Sequence, residues 1–256
     1  MNIIPENLWK EIEKLIPKKK SKIGRPESDI KNILNGIFYV MKTGIQWQLM
    51  PKEFGPASTI HSRFMKLIRL GIFEKIMTKA REFYLKNNET NWYATDTSSS
   101  KSPLAIRWAG KNPTDRGKSG IKKSIIVDRN GAPLAITVGP ANKHDSKFFY
   151  DTFNSKFYNN DGLKIMTADS AYDDIKIKNL CKDNNFVLLA ATNPRRKKNS
   201  SKLFKPKHRW IVERTISWLN NYRGIKTCWA KTPEAYLAFC LFASAIRLFN
   251  MAGVFV

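Results

Sequence analysis

Residues 122–138, KKSIIVDRNGAPLAITV, read as two strands around a tight turn. Lys122–Asp128 and Pro133–Val138 are rich in branched apolar residues, and Arg129–Gly131 supplies the turn. Working outward, Asn91–Thr97 (NWYATDT) reads as a strand upstream of this hairpin. Ser98–Gly120, between them, is polar, contains Gly and Pro, and is predicted to be a loop. Downstream, His144–Phe157 is predicted helical, Lys164–Ala168 (KIMTA) is a strand ending at Asp169, and Asp173–Asp183 is a helix. Phe186–Ala190 (FVLLA) is a buried-type strand, Pro194–Lys207 a basic loop, and Arg209–Asn221 a helix. Pro233 opens a last apolar helix running to about Asn250.

The element order is therefore β, β, β, α, β, α, β, α, α. A hairpin sheet followed by strand–helix alternation is the order of a ribonuclease H-like α/β core. Lys86–Thr90 (KNNET) is polar and marks a boundary, which sets the expected domains at 1–88 and 91–256. The first of these is predicted all-helical, over 6–16, 28–43, 57–70 and 72–86. Asp29–Met41 carries Ile30, Ile33, Leu34, Ile37, Phe38 and Met41 at helical spacing. Ser58 or Thr59 can cap the next helix, which places Ile60, Phe64, Leu67 and Ile68 on one face. Its other face shows His61, Arg63, Lys66 and Arg69. Such a pair of helices suits a helix-turn-helix DNA reader. A plain helical bundle with a solvated charged face gives the same pattern.

The chain has 256 residues, 42% hydrophobic, with a formal net charge of +24. A real core is within reach, and the charge points to a polyanionic partner such as nucleic acid. No apolar run approaches the ~20 residues of a membrane span. The opening MNIIPENLWKEIEKL has no signal-peptide layout. The expectation is a cytoplasmic protein, at the nucleoid when bound to DNA, with no membrane partner. Cys181, Cys228 and Cys240 lack metal-type spacing and read as buried reduced thiols.

The acids are distributed unevenly. From Asn184 to Pro233 the only carboxylate is Glu213, within RWIVERTISWLNNYRG at 209–224. Asp96 falls near the end of the first strand, and Asp169 just past the end of the fourth. In the expected fold those strands are central neighbours, and a helix crossing the sheet edge brings Glu213 to them. Three converging carboxylates repel one another unless cations lie between them. Hard oxygen donors suit Mg²⁺ or Mn²⁺, and two such ions serve an in-line phosphoryl displacement. A surface Glu213 paired with Arg209 is the alternative. Trp108, with Arg107 and Lys111, is open to either DNA wedging or packing.

Four stretches together resemble a known family: TGIQWQLMPKEFGPASTIHSRF at 43–64, NPTDRGKSGIKKSIIVDRNGAPLAITVGPANKHDS at 112–146, TADSAYD at 167–173, and RWIVERTISWLNNYRG at 209–224. The chain resembles DDE transposases of bacterial insertion sequences, in the insertion-sequence-five family of the insertion-sequence-four superfamily. The resemblance implies a ribonuclease H-like core with Asp96, Asp169 and Glu213 as catalytic and metal-binding triad, and Mg²⁺ or Mn²⁺ as cofactor, two ions in all. It implies cleavage at the terminal inverted repeats of a mobile element and transfer of the 3′-hydroxyl ends into target DNA. A nuclease without strand transfer, or a non-catalytic DNA-binding derivative, are the competing readings.

The resemblance also makes residues 1–88 the end-recognition region, and a homodimer or higher oligomer the working form on double-stranded DNA. Asp115, in NPTDRGKSG, rivals Asp96 as first carboxylate. The family's Tyr, Arg, Glu, Lys pattern around the glutamate is met by Arg209 and Glu213. Pro206 and Asn220 stand at its Tyr and Lys places, leaving Arg223 or Arg214 to substitute. Expected DNA contacts are His61, Arg63, Lys66, Arg69, Arg116, Lys118, Lys122, Lys123, Arg195, Arg196, Lys197, Lys198, Arg209 and Arg223. His144–Asp145 is read as a loop-to-helix cap.

Overall fold

The hairpin read from the sequence forms as β3 (Ser119–Asp128) and β4 (Pro133–Pro140), paired antiparallel. The computed structural model describes residues 4, 6–17, 28–104, 107–155, 157–158, 162–192 and 209–253. Asp128 closes the turn, its Oδ1 accepting the Asn130 and Ala132 backbone N–H groups at 2.9 Å each. Gly131 takes φ +80°, which a side chain would resist, and a Cβ there would meet Thr215 Oγ1 at 2.9 Å.

The sheet grows from this hairpin. β1 (Trp92–Lys101) lies antiparallel to β3, and β5 (Lys164–Ala168) and β6 (Phe186–Ala190) follow parallel to β1. The order across the sheet is β4, β3, β1, β5, β6. A short β2 (Gly110–Lys111) adds to the start of β3. Three antiparallel strands followed by two parallel ones make the core ribonuclease H-like.

One expectation needs correction here. Ser98–Gly120 is not all loop, because β1 continues to Lys101 and β3 begins at Ser119. Ser98, Ser99 and Ser100 pair with Lys123, Lys122 and Ile121. Serine has little intrinsic strand preference, and position in the middle of a sheet overrides it.

Helices cover both faces. α5 (Asp145–Phe153) lies against β3 and β4, with Thr152 Oγ1 donating to Ser124 Oγ at 2.8 Å. α6 (Ile175–Asp183) covers β6. α7 (Trp210–Leu219) lies against β1 and β3, and α8 (Arg223–Lys226) follows it. α9 (Pro233–Met251) is the long core helix, capped by Thr232, whose hydroxyl accepts the Ala235 N–H. Its 19 residues are long and apolar enough to cross a bilayer, against expectation, but 72% of its apolar window is buried inside the protein.

The first region is helical as expected: α1 (Glu6–Glu13), α2 (Ile30–Thr43), α3 (Ala57–Arg69) and α4 (Ile72–Asn87). α2 and α3 are joined over residues 44–56 through two 3₁₀ turns, well beyond the about three- or four-residue turn of a helix-turn-helix. α4 runs along α9, and Phe64 stacks on Phe239 with centroids 5.0 Å apart. The helices before β1 and the C-terminal helix thus meet in one apolar core. All three cysteines are free and buried there.

Lys123 is a second correction. Expected on a DNA surface, it is 2% exposed. Strand alternation turns it, with Ile121 and Ile125, toward the face that α9 covers. Its Nζ donates to Ser100 Oγ at 2.5 Å, and no described carboxylate pairs with it. Burial pulls its pKa down to about 8, against 10.5 for a free lysine. The unfolded chain therefore holds this proton more tightly, so stability rises as pH climbs from about 8 toward 10.5. Lys123→Met is expected to stabilise the fold at pH 7 by about 2 kcal/mol, roughly 4–8 °C. Thermal melts should show that gain shrinking toward pH 10.5; a lower melting temperature at pH 7 would contradict it.

Candidate active site

β1 and β5 run parallel, with Ala94 opposite Thr167. Two residues further along each chain come Asp169, just past the carboxyl edge of β5, and Asp96, which lies not near the end of β1 as expected but in its middle, where the pairing with β5 has stopped. Crevices at such edges are where open α/β sheets place their sites. Each aspartate is pinned through one oxygen. Asp96 Oδ1 accepts the Thr97 N–H at 2.8 Å, and Asp169 Oδ1 accepts the Ser170 N–H. Asp169 thereby caps the short 3₁₀ turn Ser170–Tyr172.

Glu213 arrives on α7. The helix is anchored to the β3–β4 turn on either side of it: Arg214 donates to Asn130 O at 2.9 Å and Thr215 Oγ1 to Gly131 O at 2.8 Å. Ile211, Val212, Thr215 and Leu219 form its buried side, which leaves Glu213 exposed on the other.

The three carboxylates meet at one atom. Arg209 Nη2 lies 3.7 Å from Asp96 Oδ2, 3.8 Å from Asp169 Oδ2 and 3.4 Å from Glu213 Oε1. The aspartate oxygens involved are the ones the backbone leaves free. Burial pushes the Asp96 carboxyl up to about 6, with Asp169 and Asp145 adding to the rise and the Thr97 N–H and Arg209 opposing it. The rival Asp115 sits in the tight turn of residues 112–118, where its backbone bonds Asn112 and Lys118. Among the described residues no ion pair involves Asp115, and Arg209 reaches Asp96, Asp169 and Glu213 instead.

The expected DNA contacts divide into several groups. His61, Lys66 and Arg69 are exposed on α3, with Arg63 half-buried and the His61 ring edge-on to Trp47. Arg116 and Lys118 are exposed in the turn before β3. Lys122 is tied down, donating to Asp145 Oδ1 at 2.7 Å and to Lys143 O at 3.1 Å. Arg209 is half-buried and faces the carboxylates. Arg195, Arg196, Lys197 and Lys198, with Pro206, lie outside the described residues. Asn220 caps the end of α7. Trp108 is a packing residue, donating to Lys231 O at 3.1 Å and lying against Tyr236. His144 caps α5, accepting the Ser146 N–H.

Sequence reading missed a cleft of about 340 Å³ lined by Thr43, Gly44, Arg223, Lys226, Thr227 and Trp229. Arg223, Lys226 and Trp229 are all exposed there, with no described ion pair to an acid. Two cations three apart followed by a tryptophan was the available signal.

Comparison with known proteins follows this geometry. The family model described as "Transposase DDE domain" matches residues 89–248. A second, "Putative transposase of IS4/5 family (DUF4096)", matches residues 4–77. A curated relative, "Putative transposase for insertion sequence element IS402" from Burkholderia cepacia, is 28% identical over 155 residues, spanning 56% of this chain and 72% of the relative. Among solved structures, a piggyBac transposase synaptic complex with hairpin DNA aligns over 96% of this chain and 70% of its own, at 11% identity and TM-score 0.47. The Mos1 mariner paired end complex with Mn aligns over 92% and 80%, at 10% identity and TM-score 0.29. Both structural likenesses are too loose to place individual residues.

Proposed function

Because the chain belongs to the DDE transposase family and is a DNA transposase that cleaves and joins DNA strands, we propose that Asp96, Asp169 and Glu213 are its catalytic triad. The observation that carries this is their convergence, from the middle of β1, the end of β5 and the helix α7, on a single cationic nitrogen. The chemistry of the family uses a divalent metal. The donors fit one by chemistry, being three hard oxygen ligands turned toward a single positive charge, the Arg209 guanidinium, although among the described residues no three acids yet stand close enough together to hold an ion. We assign Mg²⁺ or Mn²⁺, two ions when loaded, with Asp96, Asp169 and Glu213 as ligands. Bound there, such ions activate the attacking oxygen and stabilise charge on the leaving one.

The protein's own contribution is positioning. The Thr97 and Ser170 N–H groups fix one oxygen of each aspartate and so aim the other. The β3–β4 turn fixes α7 and with it Glu213. Exposed cations on α3 and in the turn before β3 are assigned to the phosphates of the element's terminal repeats. Residues 1–88 act as the end-recognition region and 91–256 as the catalytic region. Joining two ends calls for at least a homodimer on DNA, and the working site is the nucleoid.

The Arg223–Trp229 cleft supplies two further phosphate contacts, one each from Arg223 and Lys226, with the indole available to stack. Replacing Arg223 and Lys226 together by alanine is expected to reduce the log–log salt slope of duplex binding by about 1.8, since each phosphate contact contributes ~0.9. Fluorescence anisotropy from 50 to 300 mM salt reads this directly, and an unchanged slope would remove the cleft from the DNA path. Strand joining itself is tested with pre-cut element ends, target duplex and Mn²⁺. Cleavage without any joined product would reduce the protein to a nuclease.

A further inference from the structure

Arg209 is placed among acids, where before DNA arrives its charge has a second use. Its Nη2 sits among three carboxylate oxygens, each 3.4–3.8 Å away. A guanidinium committed to one carboxylate makes paired bonds near 2.7–2.9 Å. Here the fork geometry is absent, and the charge is shared among three acids instead. The Arg209 Nε is buried with no hydrogen-bond partner. A structural arginine normally spends that donor, because leaving it unmet costs free energy. Arg209 also lies at the N-cap of α7, where the helix dipole disfavours a positive charge. Among the described residues, then, the three carboxylates hold the guanidinium in its seat.

Resting on the triad reading above, we infer that Arg209 is the built-in counter-ion of the metal-free site, holding the three carboxylates together until divalent metal takes its place. Without it, carboxylates converging on one point would repel and splay. With it, the three acids are held facing one point, and metal binding becomes an exchange of cations that draws them the rest of the way in. Arg209 is a positioning residue in this scheme, acting through Asp96, Asp169 and Glu213. The spare bonding capacity at Nε and the unfavourable helix terminus make it easy to release.

The test uses the full chain, with Mn²⁺ alone as probe, in calorimetric titrations of wild type, Arg209→Gln and Asp169→Asn. Exchange predicts that Arg209→Gln binds Mn²⁺ at least ~5-fold more tightly, because the competing cation is gone. It also predicts a lower melting temperature for Arg209→Gln in chelator, converging with wild type in saturating Mn²⁺. An equal or weaker Mn²⁺ affinity in Arg209→Gln overturns the exchange. Mn²⁺ binding that is as tight in Asp169→Asn as in wild type overturns the triad reading beneath it, which separates the two failures. Should Arg209→Gln not fold, crystals of wild type grown in chelator and soaked in MnCl₂ decide the matter. The guanidinium should leave the three oxygens when Mn²⁺ binds; one that stays beside the bound ion refutes the proposal.

Discussion

Exchanging any one of Asp96, Asp169 or Glu213 for its amide is expected to slow cleavage of an element end by at least ~10³-fold, about 4 kcal/mol of transition-state stabilisation. Duplex binding should stay within about 3-fold, because all the assigned phosphate contacts are elsewhere. The variants should also fold. Glu213 is exposed and Asp169 only half-buried. Asp96 is more enclosed, but burial already holds its carboxyl up to about 6, so a neutral amide relieves a cost rather than adding one. Single-turnover cleavage in Mn²⁺ beside thermal melts separates lost chemistry from lost structure. Asp115→Asn is the control and should cut at the wild-type rate within about 3-fold. A variant that still cuts leaves the triad, and an inactive Asp115→Asn would move the first carboxylate to the turn before β3.

Parts of this arrangement were readable in the sequence, for physical reasons that differ from element to element. β5 and β6 were read with the bounds they have, since each is a short apolar run between polar or turn residues. Glu213 stood out as the single acid in a long basic stretch, and its place on a helix was clear from the apolar arc behind it. The end of β1 was hidden because its last four residues are Ser98, Ser99, Ser100 and Lys101. Ser100 is buried all the same, accepting from Lys123 and from Tyr236 on α9, a contact between distant parts of the chain.

Lys123 was misread for a related reason. In a strand exposed on one face, alternation separates lysines that point out from apolar residues that point in. β3 is covered on both faces, by α5 and by the α7–α9 side, so alternation carries no such information. The Arg223–Trp229 cleft depends on how closely α2 meets α8. A Cβ on Gly224 would lie 3.0 Å from Met41 O, and nothing local to either segment signals that approach. Arg209 was half legible: its spacing to Glu213 gave one contact, and the two aspartates came only with the sheet.

Asp128→Ala is expected to destabilise the protein by about 4 kcal/mol, roughly 10 °C in melting temperature, and to lower cleavage more than ~10-fold where it remains folded. Asp128 is fully buried. Its Oδ2 accepts the Tyr84 hydroxyl at 2.6 Å, and its Oδ1 accepts two backbone N–H groups of the β3–β4 turn. Alanine leaves all three donors without that acceptor, and each buried unmet donor costs about 1–3 kcal/mol. The effect reaches the site because the same turn holds α7. Asn130 O and Gly131 O accept from Arg214 and Thr215, the two residues that follow Glu213. A loosened turn therefore loosens the third carboxylate. Tyr84→Phe provides the contrast: it removes the hydroxyl that donates to Asp128 and accepts from Asn130 Nδ2, and leaves the turn's two backbone N–H bonds to Asp128 in place. It should cost about 1 kcal/mol and leave cleavage near wild type. If Asp128→Ala melts within 2–3 °C of wild type, or cuts as fast as Tyr84→Phe at a temperature where both are folded, the turn does not position the catalytic helix.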